Sequence, residues 1–147
     1  MDNSHLAAAA IATNDDGEIL MVQEGKSHIE GTWNFPGGSF EEEEGLKETA
    51  RREFLEETGY DIELGEVIGV YLEESVRTGN TVAVFIFEAE ITEQKHQGLE
   101  DGEIIDTEFF SPEKVRSLDL RKENRKEMLK DFLEGRRFSS SRVIDTR

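Results

Sequence analysis

Residues 38–60 read GSFEEEEGLKETARREFLEETGY, and their pattern is that of a helix with a glycine cap. From Gly45 to Thr58 the sequence has no proline and consists mostly of good helix formers. Gly59 then stands where a left-handed cap would end the helix. Apolar residues recur at every fourth position in this stretch: Leu46, Ala50 and Phe54. We therefore predict a helix over 45–58 that packs one apolar stripe against a core.

Three glutamates crowd the inner edge of this predicted helix. Glu53 and Glu57 fall within about 60° of the centre of the apolar stripe, and Glu56 lies just beside it. Two unit charges about 6 Å apart repel by roughly 2 to 3 kcal/mol at an effective dielectric near 20. These acids also face the negative end of the helix dipole. A cation is therefore expected between them, and carboxylate oxygens favour Mg²⁺ or Mn²⁺. Arg52, four residues before Glu56, can hold that side chain by a charge-assisted bond.

The same stretch resembles the signature of the Nudix hydrolases, GX5EX7REUXEEXGU, in which U is a bulky apolar residue. The U positions hold Phe54 and Tyr60 where aliphatic residues are usual, and this departure concerns packing more than chemistry. The preceding residues 33–38, WNFPGG, resemble the lead-in to that signature. The matching positions are Gly38, Glu44, Arg52, Glu53, Glu56, Glu57 and Gly59.

The rest of the chain alternates strand and helix patterns and contains no repeat. We predict strands over 6–13, 18–23, 67–72, 81–91 and 103–110, a short helix from Ser111-Pro112, and an amphipathic helix over 123–133. This order predicts an α/β fold with a mixed sheet. The resemblance covers residues 5–134 and implies, more narrowly, a Nudix-type α/β/α sandwich with a mixed central sheet.

The resemblance also implies a reaction, namely hydrolysis of a nucleoside diphosphate linked to another moiety, with Mg²⁺ or Mn²⁺ as cofactor. Carried over by position, Glu53, Glu56 and Glu57 would bind the metal, and Glu44 and the carbonyl of Gly38 would help. Arg52 would orient these acids. The general base would be Glu53 or an acid outside the signature, and Glu108 before Phe109-Phe110 resembles an acid–aromatic pair of some members. The candidates outside the signature are Glu100, Asp101, Glu103, Asp106 and Glu108.

Composition favours a small cytoplasmic enzyme, predicted as a single domain over 1–147. The chain is 35% hydrophobic and has no cysteine, which excludes disulfides and thiolate chemistry. The apolar run over 6–12 is too short for a membrane span and follows Asp2 rather than a basic stretch. The net charge of −17 argues against a nucleic acid polymer as partner. The segment from about 135 is either disordered or folded back, and a homodimer stays open.

Substrate recognition is less constrained by the sequence. Trp33 or Phe35 could stack on a purine, although packing is the favoured reading, and Arg77 is read as a turn residue. The three histidines show no ligand spacing. The motifs of the family's groups for ADP-ribose, diadenosine polyphosphates, NADH and coenzyme A are missing, which makes these four substrates less favoured but selects no other. An ordinary or oxidised nucleoside triphosphate and a nucleotide sugar remain. The rival classes are a non-catalytic nucleotide sensor on the same fold and an acidic interaction protein.

Overall fold

The computed structural model describes residues 5–75, 77–98 and 102–147. None of the helices in these ranges has the length and apolar character that crossing a membrane requires. In chain order the elements are β1 Leu6–Thr13, β2 Ile19–Glu24, β3 Trp33–Asn34, β4 Gly37–Ser39, α1 Leu46–Thr58, β5 Tyr60–Glu74, β6 Thr81–Gln94, β7 Ile104–Phe110, α2 Pro112–Ser117, α3 Asn124–Leu133 and a 3-10 turn Ser140–Arg142.

The strands of the described residues form one mixed sheet in the order β3-β2-β1-β6-β5. β7 pairs with β2 and β4 pairs with β1, both antiparallel. β1 and β6 run parallel over the whole of β1, from Leu6 opposite Ala83 to Thr13 opposite Glu90. A parallel pair needs a long crossover connection, and here the crossover contains α1. The mixed sheet predicted from the order of the elements is therefore confirmed.

Strand β1 lies at the centre and is buried on both faces. Ala8, Ala10 and Ala12 face the side on which Phe54 of α1 packs. Ala9 and Ile11 face the other side. They pack with Val115 of α2 and with Met128 and Leu129 of α3. Since successive side chains of a strand point to opposite faces, α1 covers one face and the other two helices cover the second. This arrangement is the α/β/α sandwich that the resemblance implies.

Helix α1 carries most of the signature over residues 38–60, which is called the box from here on. This helix begins and ends close to where the sequence predicts. Gly59 adopts φ +81°, and its N–H donates to the carbonyl of Leu55, so the left-handed cap is present. At the other end, the Glu48 carboxylate accepts a bond from the N–H of Gly45. Two features differ from the prediction. β3 and β4 are short strands in a stretch for which no strand is predicted, and β5 begins at Tyr60 directly after the cap instead of at Val67.

The physical reason for both differences is pairing with distant strands. β4 has no side-chain pattern of its own, but its glycines lie against β1 through backbone bonds. The first half of β5 contains several acids and Gly65, so it lacks a clear alternation of apolar and polar residues. It nevertheless pairs with β6, from Tyr60 opposite Gln94 onward. Local propensity does not report such pairing, because context decides whether a weak strand former joins a sheet.

The segment after α3 folds back along the sheet rather than leaving it. Phe138 exchanges backbone hydrogen bonds with Val67 of β5, at 3.0 and 2.9 Å. Arg137 donates to the Glu88 carboxylate of β6 at 2.7 Å. Further along, Val143 packs against the core cluster on the α1 side of the sheet. These contacts place residues 137, 138 and 143 against the sheet.

A buried ionic cluster ties α3 to β5 and β3. The side chain of Arg125 is 7% exposed and donates to Glu73 at 2.6 Å and to the carbonyl oxygen of the Asn34 side chain at 2.7 Å. Burial alone would raise the pKa of Glu73, but Arg125, Asn124 and Lys122 outweigh it and hold that pKa below its usual value. The ionised form of Glu73 therefore stabilises the fold at neutral pH, and this contribution is lost as the pH falls through the lowered pKa.

Replacement of Arg125 by Ala is expected to lower the free energy of unfolding by about 3 kcal/mol, because it removes the nearest charge partner of the half-buried Glu73 and leaves Lys122, at 3.8 Å, as the remaining cation. Urea unfolding followed by circular dichroism measures this. Lys126→Ala on the same helix is the control: Lys126 is exposed, so its loss should change stability by less than about 0.5 kcal/mol. Equal stability of the two variants would show that the cluster contributes nothing specific.

Candidate functional site

The backbone of β4 and the second half of α1 meet at the end of the sheet. The carboxylate of Glu53 lies directly on Gly38, so that a Cβ atom at position 38 would come within 2.5 Å of its Oε2. One residue earlier, the N–H of Gly37 donates to Oε1 of Glu57 at 3.2 Å. Any side chain at position 38 would displace Glu53. The glycine of the box thus makes room for an acid of the helix.

Arg52 is the centre of the charged groups on this helix. Its guanidinium donates to both carboxylate oxygens of Glu44, at 2.7 and 2.9 Å, and to Glu53 at 3.0 Å. The contact with Glu56 that the four-residue spacing predicts is present but longer, at 3.4 Å. Glu44 also accepts from the Thr49 hydroxyl at 2.8 Å. The hydrogen bonds that Arg52 donates to Glu44 lower the pKa of Glu44, and the same bonds raise the pKa of Arg52.

Negative charge is incompletely balanced around Glu57. Burial, and after it the charge of Glu53, raise the pKa of Glu57 well above its usual value, although the Gly37 N–H and Lys26 act in the opposite direction. Burial also raises the pKa of Glu53, and Arg52 offsets part of this effect. Arg52 therefore serves Glu44, Glu53 and Glu56, and Glu57 keeps an excess of negative charge that a cation would relieve.

Glu24, at the end of β2, is a part of this environment that the sequence analysis missed. It is only 5% exposed and accepts bonds from the Asn34 amide and from Arg121, both at 3.3 Å. Its charge contributes to the raised pKa of Glu57. A signal was available, because the period of two that buries Leu20 against Phe54 also directs Glu24 toward the face covered by α1.

The structure does not bring Glu108 to the acids of the helix. Phe110 packs edge-on against Trp33 in the cluster on the α2 and α3 side. The period of two along β7 places Glu108 on that same side, and Phe109 on the α1 side. The hydrogen bond with Asp106 is the largest cause of the raised pKa of Glu108. The proposed acid–aromatic pair is therefore present in sequence, but its acid faces away from α1.

Two of the other candidate acids outside the signature lie within the described residues. Glu103 and Asp106 are exposed, and Glu103 lies 4.0 Å from Lys26. Glu100 and Asp101 lie outside the described residues.

The aromatic residues before the signature belong to the core. Trp33 is 8% exposed and Phe35 is 2% exposed, and both lie in the cluster shared with α2 and α3. Packing was the favoured reading for these two residues, and it is confirmed. The three histidines are exposed, and Arg77 lies on an exposed turn, as the sequence indicated.

The donor set suits a hard divalent cation, although no three acid or histidine side chains within 5–75, 77–98 and 102–147 already converge as a metal cage. The carboxylates gather around Arg52 instead of around a common point. What fits is the chemistry: oxygen ligands, a close backbone at Gly38, and unbalanced negative charge at Glu57. Mg²⁺ and Mn²⁺ prefer such oxygen donors and keep several waters. The site is thus compatible with the expected ion.

A mixed sheet between helix layers, with a glycine–glutamate box that runs from β4 into α1, defines the class of Nudix-box proteins. A family model described as the NUDIX domain matches residues 3–132, and the chain belongs to that family.

Known relatives agree with this assignment. A putative nudix hydrolase 1 of Caenorhabditis elegans is 38% identical over 49% of this chain and 20% of its own length. A putative 8-oxo-dGTP diphosphatase of Bacillus subtilis is 41% identical over 44% of this chain and 41% of its own length. The chain thus spans less than half the length of these relatives. A solved NUDIX hydrolase from Nitrosomonas europaea superposes with a TM-score of 0.86 at 23% identity and covers 97% of both chains, which shows the shared fold.

Proposed function

We propose that this protein is a metal-dependent hydrolase that cleaves a diphosphate linkage in a nucleoside diphosphate joined to another moiety. The observation that carries the proposal is the placement of Glu53 and Glu57 on one edge of α1, against the backbone of Gly38 and Gly37, with more negative charge than Arg52 and Lys26 balance. A diphosphate is itself an anion. A site this acidic can accept one only if a cation stands between the two sets of oxygens.

In this proposal Glu53, Glu56 and Glu57 hold Mg²⁺ or Mn²⁺, and Glu44 supports them. The bound ion would polarise a phosphoryl oxygen and stabilise the charge of the leaving group. Arg52 fixes Glu44 and Glu53 in place through the bonds described above. Oε1 of Glu53 accepts from Arg52, which leaves Oε2, beside Gly38, to receive the proton of the attacking water. In the metal-free protein, burial raises the pKa of Glu53, and Arg52 offsets part of this effect.

The choice of substrate class rests on similarity to known proteins and not on the geometry of the site. The relative from Bacillus subtilis bears the name of a putative 8-oxo-dGTP diphosphatase, which supports an ordinary or oxidised purine nucleoside triphosphate as the first substrate to test. A nucleotide sugar is the next choice. The backbone carbonyl of Gly38 is proposed as a further oxygen near the ion, in keeping with its contact to Glu53. A cytoplasmic location, a homodimer and the role of Glu108 stay predictions of the sequence.

Turnover separates the proposal from the rival classes. A screen of nucleoside triphosphates, nucleotide sugars and dinucleotides with Mg²⁺ or Mn²⁺ should yield pyrophosphate or a mononucleotide from at least one of them. A nucleotide sensor would bind one compound and leave it intact, and an acidic interaction protein would bind none. The presence of Arg52, Glu53, Glu56 and Glu57 together supports an enzyme, because a nucleotide sensor does not need the full set.

The position of bond cleavage gives a test that does not depend on the natural substrate. Hydrolysis in ¹⁸O-labelled water is expected to place the label in one phosphate-bearing product, because water attacks phosphorus in metal-assisted displacement. Mass spectrometry of the separated products measures this. A reaction in unlabelled water followed by mixing with labelled water controls for later exchange. Label at a sugar carbon would contradict the proposal, since it would show cleavage of a glycosidic bond.

A further inference from the structure

Arg147, in the segment after α3, contacts the loop that carries Glu44, the first glutamate that matches the signature. The guanidinium of Arg147 donates through Nη1 to the carbonyl of Glu42 at 2.6 Å, and through Nη2 to the carbonyl of Glu44 at 2.9 Å. It also stacks on the ring of Phe40, with 5.1 Å between the guanidinium carbon and the ring centre. Asp145 orients it with two further bonds, of 2.9 and 2.6 Å.

The loop over 40–45 needs an external partner. It lies between β4 and α1, and 41–44 is a run of four glutamates whose like charges repel. Within the loop, the Glu44 N–H donates to the carbonyl of Glu41 at 3.2 Å. At its start, the N–H of Phe40 donates to Leu6 of β1 at 3.0 Å. Arg147 adds two donors, a ring contact and a positive charge at the point where the chain enters the helix.

A continuous line of contacts leads from Arg147 to the acids proposed to bind metal. Arg147 holds the backbone of Glu44, and the side chain of Glu44 holds Arg52 with two short bonds. Arg52 in turn contacts Glu53 and Glu56. A shift of the loop would move the Glu44 carboxylate and release one side of Arg52. Groups that orient metal ligands without touching the metal commonly affect affinity by about 10- to 100-fold.

We propose that Arg147 is a positioning residue of the metal site, which acts through the loop 40–45 and Glu44; this inference rests on the function proposed above. Arg147, although far from the box in sequence, helps in this proposal to set the affinity of the site for the metal. Arg147 touches neither substrate nor metal in this proposal. Its loss should therefore weaken metal binding and loosen the loop, but leave the fold, and the KM for the nucleotide at saturating metal concentration, almost unchanged.

The test compares Arg147→Ala and Arg147→Lys with the wild-type chain and with Arg136→Ala. Arg136 lies in the same segment and pairs with Asp131 and Glu134, so its removal controls for the loss of one positive charge. Binding of Mn²⁺ alone is measured by the electron paramagnetic resonance signal of the free ion, without substrate. Hydrogen exchange of the amides of 41–46 is followed in the same samples, and KM for the nucleotide is measured separately.

For Arg147→Ala we expect about three- to tenfold weaker Mn²⁺ binding, less than the direct orienting groups cause, because the effect passes through one more residue. Exchange in 41–46 should quicken, and Arg147→Lys should fall between Ala and wild type. Arg136→Ala should resemble wild type in both readouts. Unchanged Mn²⁺ affinity in Arg147→Ala, or an equal loss in Arg136→Ala, would overturn the inference. If the wild-type chain bound no Mn²⁺, the proposed function itself would fail, and the inference with it.

Discussion

Replacement of Glu57 by Gln is expected to lower the rate of hydrolysis by at least about a hundredfold, the usual size of the effect when a major electrostatic stabiliser is lost. The amide keeps the shape of the side chain and can still accept the bond from the Gly37 N–H. What disappears is one negative charge at the point where the proposed cation would be held. Glu53→Gln should fall as far, since Glu53 is assigned both to the metal and to the proton of the water.

Stability should move in the opposite direction from activity. Burial and the charge of Glu53 raise the pKa of Glu57, so in the metal-free protein the ionised carboxylate costs folding free energy. An acid whose pKa is raised on folding destabilises the fold progressively as the pH rises from the ordinary carboxyl value through the raised one. Glu57→Gln removes this cost. The variant should therefore equal or exceed the wild-type chain in stability at neutral pH, and the difference should shrink in acid.

Steady-state rates and urea unfolding across pH, both on purified variants, measure the two effects. Glu63→Gln is the matched control, because Glu63 is an exposed acid of β5 and its replacement removes the same charge. It should leave rate and stability near the wild-type values. Full activity in both Glu53→Gln and Glu57→Gln would remove the assignment of these residues to the site.

Removal of divalent cations by EDTA is expected to abolish hydrolysis completely while the fold persists. The ion has no part in the core, which consists of apolar clusters on both faces of the sheet around β1. Circular dichroism and turnover, measured on the same treated sample, test both halves of the prediction. Added Mg²⁺ or Mn²⁺ should restore the rate, and Ca²⁺, which is larger and takes more ligands, is the comparison ion.

Two results would contradict this prediction in different ways. Global unfolding in EDTA would show that the ion is structural, as in domains whose folding depends on metal binding. Undiminished turnover in EDTA would show that no exchangeable cation takes part in the reaction. Either result would leave family membership intact, because that rests on the match over residues 3–132.

The elements with strong local signals were predictable from the sequence. The helix over the box, the strand over 6–13 and the Ser111-Pro112 helix start all occur within a residue or two of their predicted bounds. Ser111 accepts from the N–H of Lys114, as a helix cap does. In each case the signal is short in range: a periodic apolar face, a cap or a fixed proline angle. Such signals hold wherever the rest of the chain lies.

The candidate site was predictable only in part. The spacing of the box places Arg52, Glu53 and Glu57 on one helix, and in the structure α1 presents all three. The spacing did not reveal Glu24, which reaches the site from β2 and is held by Arg121 from the other end of the chain. Glu108 was one candidate, suggested by its resemblance to an acid–aromatic pair, and its side of the sheet depends on the register of β7 against β2. A shift of one residue in that register would reverse the face, and no local pattern fixes it.

The sequence by itself determined the class of fold and the acidic edge of α1, and from them came the prediction of a hard divalent cation, because periodicity and side-chain chemistry are properties of neighbouring residues. Tertiary structure decided which distant groups act on that edge: the backbone of Gly38 under Glu53, the charge of Glu24, which raises the pKa of Glu57, and Arg147 on the loop before the helix. These contacts join residues up to 105 positions apart. They form only when pairing across the sheet and packing on it bring separate parts of the chain together.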